Sequence, residues 1–313
     1  MQRPGLRIAY TIPLCYAANI DSPSDVLHSC QRVKPHSKGY PALSRPVWFV
    51  NLIKRTFPGR FRLAQLTKTP VVGRAIDRML FDGDDIIYLP KDSVIPVNRQ
   101  ISGPESIVLP SQVVDHFIEH ATHHWIMDAC ICRDASACRD YPIDLGCLFL
   151  GEAVLQINPA LGRLVSKDEA LAHARRCREA GLVHLIGRNK LDTAWLGTGP
   201  GHKLMTICNC CPCCCLWRMI PQLDPAVGAK VTRMPGVQVS VTDRCAGCGT
   251  CATGTCFVDA IHLVDGRAVI SAECRGCGRC IEVCPNEAIE LAIGDGEPLT
   301  NVIARLSSLV DLS

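Results

Sequence analysis

Residues 274–285 of the 313-residue chain read CRGCGRCIEVCP, in which three cysteines at intervals of three positions are followed by a fourth that precedes a proline. The same spacing occurs earlier, at Cys245, Cys248 and Cys251, and a further cysteine, Cys256, follows that run as well. The closely spaced cysteines recur at an offset of 29 residues and the fourth cysteine at an offset of 28. The C-terminal part of the chain is therefore a duplicated segment.

The cysteines of each repeat are spaced for an iron–sulfur cube, although three neighbouring thiolates leave the cube without a fourth ligand. In a two-cluster arrangement, the distant fourth cysteine of one repeat completes the site of the other. A pair of zinc knuckles is the alternative, but such sites use pairs of cysteines rather than triplets. The spacing predicts two 4Fe-4S clusters, the first held by Cys245, Cys248, Cys251 and Cys284 and the second by Cys274, Cys277, Cys280 and Cys256.

With these motifs, the segment from about 238 to 293 resembles a bacterial-type two-cluster ferredoxin domain. The resemblance covers less than a fifth of the chain. It implies a double ββα repeat and electron transfer through two low-potential clusters. The first repeat departs from the family pattern, because four residues rather than three separate Cys251 from Cys256, and Phe257 stands where proline is usual.

The other unusual feature is the total of 21 cysteines, of which Cys15, Cys30 and Cys177 stand alone and the rest fall into groups. Adjacent cysteines such as Cys210 and Cys211 do not easily meet disulfide geometry with each other, so the grouping favours reduced thiols and a cytoplasmic protein. The net charge of +3 and the aromatic content of 5% give no reason to expect a nucleic-acid partner. No apolar run is long enough for a transmembrane helix.

Ten further cysteines lie in the middle of the chain and predict one or two additional iron–sulfur clusters. They are Cys130, Cys132, Cys138 and Cys147 in a first group and Cys208, Cys210, Cys211, Cys213, Cys214 and Cys215 in a second. His123 and His124 are alternative ligands just upstream, and Arg133 and Arg139 flank the first group, where they would stabilise a reduced cluster or an anionic substrate. A zinc or copper store is a competing interpretation.

Six thiols within eight residues cannot all bind one cube, because adjacent side chains point in different directions. Some of them must bind a second metal centre, pair with the first group, or remain reactive. The paired cysteines are weakly similar to the cysteine-rich domains of heterodisulfide reductases, although Pro212 stands where that family has glycine. The similarity suggests only that a crowded thiolate site can be a reaction centre.

Residues 31–76 contain ten Lys or Arg and no Asp or Glu. The apolar run Val47 to Val50 within them favours contact with an anionic membrane surface or an acidic partner protein, whereas the simpler interpretation is a solvated basic arm. Five prolines in this segment predict that no long helix forms.

The predicted fold class is α+β, with a mixed, cysteine-rich region ahead of the duplicated segment. We expect a partly ordered basic arm at 1–80, a cysteine-rich domain at 81–220, a linker at 221–237, the two-cluster domain at 238–295 and a tail at 296–313. Ser111 is expected to cap one helix, and Ser166 with Glu169 forms a capping box for another. Strands are expected at 86–89, 94–97, 182–186 and 204–207.

Two functions fit this pattern. The first is an electron carrier or redox subunit that relays low-potential electrons through its clusters to a redox partner protein. The second is a reductase whose middle cysteines form the catalytic centre for a disulfide or another two-electron acceptor. No dinucleotide-binding or phosphate-binding glycine motif and no HExxH motif is present, and the sequence leaves flavin binding open because many flavin sites have no short signature.

Overall fold

The computed structural model describes residues 44–95, 109–294 and 298–313. The helices are α1 to α10 in chain order, at Val47–Thr56, Arg60–Leu66, Val72–Leu80, Ser111–His120, Ile131–Ala135, Lys167–Glu179, Lys190–Leu196, Pro225–Gly228, Arg279–Glu282 and Pro298–Ser307. The strands are β1 to β11, at Asp85–Tyr88, His124–Met127, Leu148–Leu150, Gly162–Val165, Val183–Arg188, Met205–Cys210, Val231–Arg233, Val237–Val241, Ile261–Val264, Arg267–Ile270 and Ile289–Ile293. The prediction of a mixed α+β fold is confirmed.

Seven strands form one sheet in the order β4-β2-β3-β6-β5-β1-β7. All neighbours in it are antiparallel except β1 and β7, which run parallel. Successive side chains of a strand point to opposite faces, so in β1 Ile87 joins one apolar cluster while Ile86 and Tyr88 join another. The sheet is therefore covered on both faces.

Helices α4, α6 and α10 cover the first face, where Val113, Ala174 and Val302 belong to the same apolar cluster as Ile87. The other face is covered by α2, α3 and the turns after β6, through Ala64, Ile76 and Trp217. No helix among the described residues is long and apolar enough to cross a membrane.

Residues 44–80, which were expected to belong to a partly ordered arm, form α1, α2 and α3. Prolines divide them as expected, since Pro46 precedes α1, Pro58 lies between α1 and α2, and Pro70 precedes α3. Val50 of α1 is buried, and Lys54 pairs with Asp134 of α5 at 2.6 Å. These helices therefore pack on the middle of the chain, and residues 1–43 of the expected arm lie outside the described residues.

The segments expected to be a linker and a tail also belong to the packed core. Within 221–237, β7 pairs with β1 and Val227 is buried. In residues 298–313, Leu306 of α10 is buried, and the backbone carbonyl oxygen of Leu312 accepts a hydrogen bond from the backbone N–H of Thr122. Apolar side chains at helical spacing explain why the C-terminal residues pack against the fold rather than extend from it.

Three local predictions can be compared with the structure, and one of them is confirmed. The capping box of Ser166 and Glu169 is confirmed at the start of α6. The expectation that Ser111 caps α4 is wrong: Pro110 holds that position, and the Asp92 carboxylate accepts the Ser111 backbone N–H. Where a strand was expected from residue 94, Asp92–Val94 form a single helical turn, and residues 96–97 lie outside the described part of the chain.

The duplicated C-terminal segment contains two antiparallel strand pairs. β8 pairs with β11, which joins the two ends of the segment, and β9 pairs with β10. Each cysteine triplet leads into a short helical stretch, at Thr250–Ala252 in the first repeat and α9 in the second. The two cysteine loops thus lie on one small scaffold.

Candidate metal centres

The structure separates the eight cysteines of the duplicated segment into two groups that cross the repeats. Residues lining one small pocket include Cys245, Cys248, Cys251 and Cys284, which we call tail site 1. A second pocket is lined by Cys256, Cys274, Cys277 and Cys280, which we call tail site 2. In each group, three cysteines come from one repeat and the fourth comes from the other.

Tail site 1 lies near the surface. Cys248 is exposed, whereas Cys251 is buried. Backbone N–H groups of Ala268 and Gly247 lower the pKa of Cys245, and the Thr250 hydroxyl and N–H lower that of Cys248. Donors of this kind stabilise the thiolate, which is the form that binds metal.

Tail site 2 has apolar surroundings that include Phe257, Val258 and Ile270. Burial raises the pKa of Cys277 to about 12 and also raises the pKa of Cys274. A free thiolate is unfavourable in such a site, so a metal would have to supply the compensating positive charge. The two tail sites therefore differ mainly in their access to solvent.

The two cysteine loops have the same backbone geometry. Gly247 and Gly276 both have a φ of +67°, a conformation that side chains rarely adopt. A Cβ at Gly247 would overlap the carbonyl oxygen of Gly266. The backbone N–H of Ala260 donates to Cys256 at 3.3 Å, and that of Ala288 donates to Cys284 at the same distance. The duplication seen in the sequence is thus also present in these backbone conformations and hydrogen bonds to sulfur.

The ten middle cysteines also divide into two groups, but not as the sequence divides them. The Sγ atoms of Cys138, Cys211, Cys213 and Cys214 all lie within 4.8 Å of one another, and we call them the four-thiol group. The other six form the six-thiol group, which consists of Cys130, Cys132, Cys147, Cys208, Cys210 and Cys215. They line a single cavity of about 480 Å³, to which Cys211 of the four-thiol group also contributes. Each group combines cysteines from both stretches of sequence.

Neighbouring sulfurs of the six-thiol group are in contact. The Sγ atoms of Cys210 and Cys215 are 3.2 Å apart. Hydrogen bonds from Cys132 and Cys147 lower the pKa of Cys130 well below its usual range, and hydrogen bonds from Cys147 and Cys210 do the same for Cys208. The six sulfurs therefore form one connected set.

Arg133 supplies a buried positive charge between the two middle groups. Its side chain is fully buried, and its guanidinium donates to the backbone carbonyl oxygens of Asn209 (2.6 Å) and Leu145. Burial alone would lower the pKa of Arg133, but the nearby sulfurs of Cys130 and Cys211 raise it above its usual value. A buried cation costs several kcal/mol unless it is paired, so the surrounding sulfurs are expected to carry negative charge, as metal-bound thiolates do.

The cavity beside the six-thiol group has a largely apolar opposite wall. It includes Phe49 and Ile53 of α1 and Trp195 of α7, none of which the sequence predicted to be part of a metal site. The cavity wall also includes the buried carboxylate of Asp192, which accepts hydrogen bonds from the side chains of Trp195 and Thr206, both at 2.8 Å. The segment expected to contact a membrane or an acidic protein therefore helps to enclose a cysteine site.

The alternative ligands and one flanking arginine lie elsewhere. The Nε2 atom of His124 hydrogen-bonds to the Ile118 carbonyl oxygen at 2.6 Å, and neither His123 nor His124 lines the cavity. His124 begins β2 and His123 directly precedes it, so the strand separates both residues from the cysteines that follow it. Arg139 is exposed, so only Arg133 of the two flanking arginines is buried beside sulfur.

Tyr88 lies between tail site 2 and the six-thiol group. Its ring is fully buried and contacts Phe257 edge-on, with the ring centroids 5.6 Å apart. Burial raises the pKa of Tyr88 well above its usual value, and Cys215, Cys210 and Cys277 raise it further. The same apolar cluster includes sulfurs of both sites. The Tyr88 hydroxyl has no hydrogen-bond partner among the described residues, although a buried hydroxyl usually has one.

The family model of the LdpA Fe-S cluster-binding domain matches residues 253–293. This match covers about an eighth of the chain, and it includes the four cysteines of tail site 2 and Cys284 of tail site 1. It shows that the C-terminal part of the chain is similar to an iron–sulfur-binding domain, and together with the middle cysteines it identifies an iron–sulfur protein. No curated protein and no solved structure matches the chain significantly.

Proposed function

We propose that the chain is an iron–sulfur electron-transfer protein with two 4Fe-4S clusters in its C-terminal segment and a further cluster on the six-thiol group. The crossed grouping of Cys284 with the first triplet and of Cys256 with the second carries this proposal. It is the ligand arrangement expected of two cubes held by a duplicated chain. When bound, each cluster accepts and releases one electron, while the chain sets its exposure and the hydrogen bonds to its sulfurs.

The arrangement of the sites favours a direction of transfer through the protein. Tail site 1 has the exposed Cys248, so a redox partner protein would dock there. Tail site 2 lies farther inside and shares an apolar cluster with Tyr88, Phe257 and the sulfurs of Cys210 and Cys215. Electrons would pass from tail site 1 to tail site 2 and then to the six-thiol group. Reduced thiols and oxygen-sensitive clusters fit a cytoplasmic location.

The test uses the full chain, because strand β11 and helix α10 belong to the main core. The wild-type protein and the Cys245→Ala/Cys251→Ala variant are purified anaerobically and mixed with a reduced external ferredoxin. Freeze-quenched paramagnetic resonance should show rapid reduction of the middle cluster in the wild-type protein and much slower reduction in the variant. Cys177→Ala is the matched control, since Cys177 is buried outside all four cysteine groups. A wild-type protein without iron, or equal rates in both proteins, would contradict the proposal.

The cavity beside the six-thiol group supports a second candidate, a reductase. It could admit a small disulfide next to cysteine sulfurs, with Arg133 and Asp192 in its wall. Reduction would break the S–S bond, consume two electrons delivered singly through the tail sites and two protons from water, and release two thiols. The presence of this cavity favours a reductase over a protein that only transfers electrons.

A substitution that fills the cavity distinguishes the reductase from the electron carrier. Ile53→Trp places a larger side chain in the cavity, whereas Leu52→Trp changes the exposed neighbour on the same helix. If the protein is a reductase, Ile53→Trp abolishes turnover of a small aromatic disulfide while electron uptake from ferredoxin is retained. If wild-type protein does not turn over such disulfides, or Ile53→Trp turns them over normally, the cavity is not a catalytic site for them.

The outer side of α1 is a candidate contact surface for a partner. Trp48 is 66% exposed and Leu52 is 47% exposed, and Arg55 lies exposed beside them. We propose an acidic protein as the partner, because apolar side chains with adjacent basic residues suit such a surface. Trp48→Ala with Arg55→Ala should weaken binding of an acidic redox protein without changing the iron content, and unchanged binding would remove this surface from consideration.

A further inference from the structure

The four-thiol group differs in geometry from the other cysteine sites. Sγ of Cys213 lies 3.6 Å from Sγ of Cys138 and 3.6 Å from Sγ of Cys214, and with Cys211 all four sulfurs lie within 4.8 Å of one another. Cys138 follows α5, whereas the other three belong to the turn after β6. Neither tail site forms such a tight group within the part of the chain that the structure describes.

These separations fit one metal ion rather than a cube. Four sulfurs placed tetrahedrally at about 2.3 Å around a zinc ion are about 3.8 Å from one another. The four ligands of a cube each bind a different iron and point outward, so their sulfurs must be spread more widely. The four-thiol group needs contractions of at most about 1 Å to enclose a single ion, whereas a cube would have to push the four sulfurs apart.

Backbone N–H groups donate to two of the four sulfurs. The N–H of Cys214 donates to the sulfur of Cys211, and the N–H groups of Asp140 and Tyr141 donate to that of Cys138. The turn that carries the other ligands is held by Arg218, whose guanidinium donates to the Cys213 carbonyl oxygen at 2.7 Å. Such N–H donors hold the ligands in place and favour the deprotonated sulfur.

A nearby buried cation also offsets part of the charge of a metal–thiolate site. One divalent ion with four thiolates carries a net charge of −2, which is costly in a buried position without a cation nearby. The fully buried Arg133 lines the same cavity as Cys211 and supplies such a cation. Two of the four thiols, those of Cys211 and Cys214, are buried, so the ion would be largely shielded from water.

We propose that Cys138, Cys211, Cys213 and Cys214 bind one tetrahedral Zn²⁺ ion that joins the loop after α5 to the turn after β6. Binding replaces the thiol protons, which are released to solvent, and closes the coordination sphere, so no position is left open for substrate. The ion has no redox role. It holds Cys130 and Cys132 on one side, and Cys208 and Cys210 on the other, at the spacing that the six-thiol group requires. This proposal does not depend on the electron-transfer function.

The test measures zinc separately from iron. Anaerobically purified wild-type protein should contain about one zinc per chain, with an X-ray absorption spectrum of four sulfur ligands at about 2.3 Å. Cys138→Ala and Cys213→Ala should lose that zinc and keep the paramagnetic signals of the two tail clusters. Cys177→Ala, which removes a buried thiol from the same apolar cluster, should keep the zinc.

Cobalt provides a readout that does not depend on whether a variant folds. Wild-type protein grown with Co²⁺ in place of zinc should show the visible bands of a tetrahedral cobalt–thiolate site. Absence of these bands, zinc with nitrogen or oxygen ligands, retention of zinc in Cys138→Ala, or iron at this position in any form would each overturn the proposal.

Discussion

The ring of Tyr88 contacts the ring of Phe257 edge-on, at a centroid distance of 5.6 Å. Tyr88 belongs to strand β1 of the main sheet, whereas Phe257 directly follows Cys256, one of the four cysteines of tail site 2. The contact therefore joins the sheet that carries the six-thiol group to the duplicated segment. Phe257 stands where proline is usual in the resembled ferredoxin domains, and here its side chain is buried against the sheet.

The first prediction concerns the hydroxyl of Tyr88, which has no hydrogen-bond partner among the described residues. If it donates to a cluster sulfur in the metal-loaded protein, Tyr88→Phe removes a bond that favours the reduced cluster. We expect one cluster potential to become more negative by about 40 mV, which corresponds to about 1 kcal/mol. Redox titration followed by paramagnetic resonance measures the shift. If instead the potentials are unchanged and the protein becomes about 1–3 kcal/mol more stable, the hydroxyl is an unsatisfied buried group.

The second prediction follows from the different exposure of the tail sites. Cys248 is exposed, whereas tail site 2 is surrounded by apolar side chains. A water-soluble oxidant or chelator should therefore remove the cluster of tail site 1 first, so that about four iron atoms are lost in a fast phase and the remaining iron is lost more slowly. Stopped-flow bleaching with iron counting measures the phases, and mass spectrometry after alkylation identifies the cysteines that are released first. Release of Cys274 or Cys277 ahead of Cys248 would contradict the assignment of exposure.

The third prediction concerns pH and the buried carboxyl of Asp84. Burial raises its pKa to about 7, compared with about 3.9 in an unfolded chain. At a pH between these two pKa values, the Asp84 carboxyl is protonated in the folded protein and deprotonated in the unfolded chain. The free energy of unfolding should therefore fall as pH rises from about 4 to about 7, with a slope of up to about 1.4 kcal/mol per pH unit from this group.

Asp84→Asn tests this effect, because the amide oxygen can still accept the Lys190 backbone N–H that Asp84 accepts at 2.6 Å. Urea unfolding between pH 5 and about 7.5 should show that the variant loses this slope and is the more stable protein at the upper end. Asp265→Asn, at an exposed turn, is the matched control. Parallel curves for wild-type protein and Asp84→Asn would show that the carboxyl is not protonated in the folded state.

The tail sites could be predicted from the sequence because their ligands are local. Three of the four cysteines of each site lie within seven residues, and the fourth follows from the duplication. The structure groups Cys284 with Cys248, as that reasoning predicts. The exposure of the cysteines was not predictable, because Cys277 is half-buried by packing against the apolar cluster that contains Tyr88 of β1.

The middle sites could not be assigned from the sequence, because their ligands combine distant segments. The sulfurs of Cys138 and Cys213 are close because strand β6 ends beside the loop after α5. The spacing of the cysteines along the chain does not indicate this contact. The residues of the cavity wall could not be predicted from the sequence either, for a related reason. Phe49 and Ile53 resemble any apolar helix face, and Asp192 resembles any polar residue in a helix, until the tertiary fold places them beside the sulfurs.

Paired alanine substitutions distinguish crossed ligation of the two proposed tail clusters from ligation within each repeat. Cys248→Ala/Cys284→Ala removes two ligands of tail site 1 if the ligands cross, and Cys248→Ala/Cys256→Ala removes one from each site. If the ligands cross, we expect the first variant to lose about four irons and keep one tail cluster signal, and the second to lose or degrade both clusters. The opposite result, with both clusters lost in the Cys284 pair and one kept in the Cys256 pair, would show that each repeat holds its own cluster.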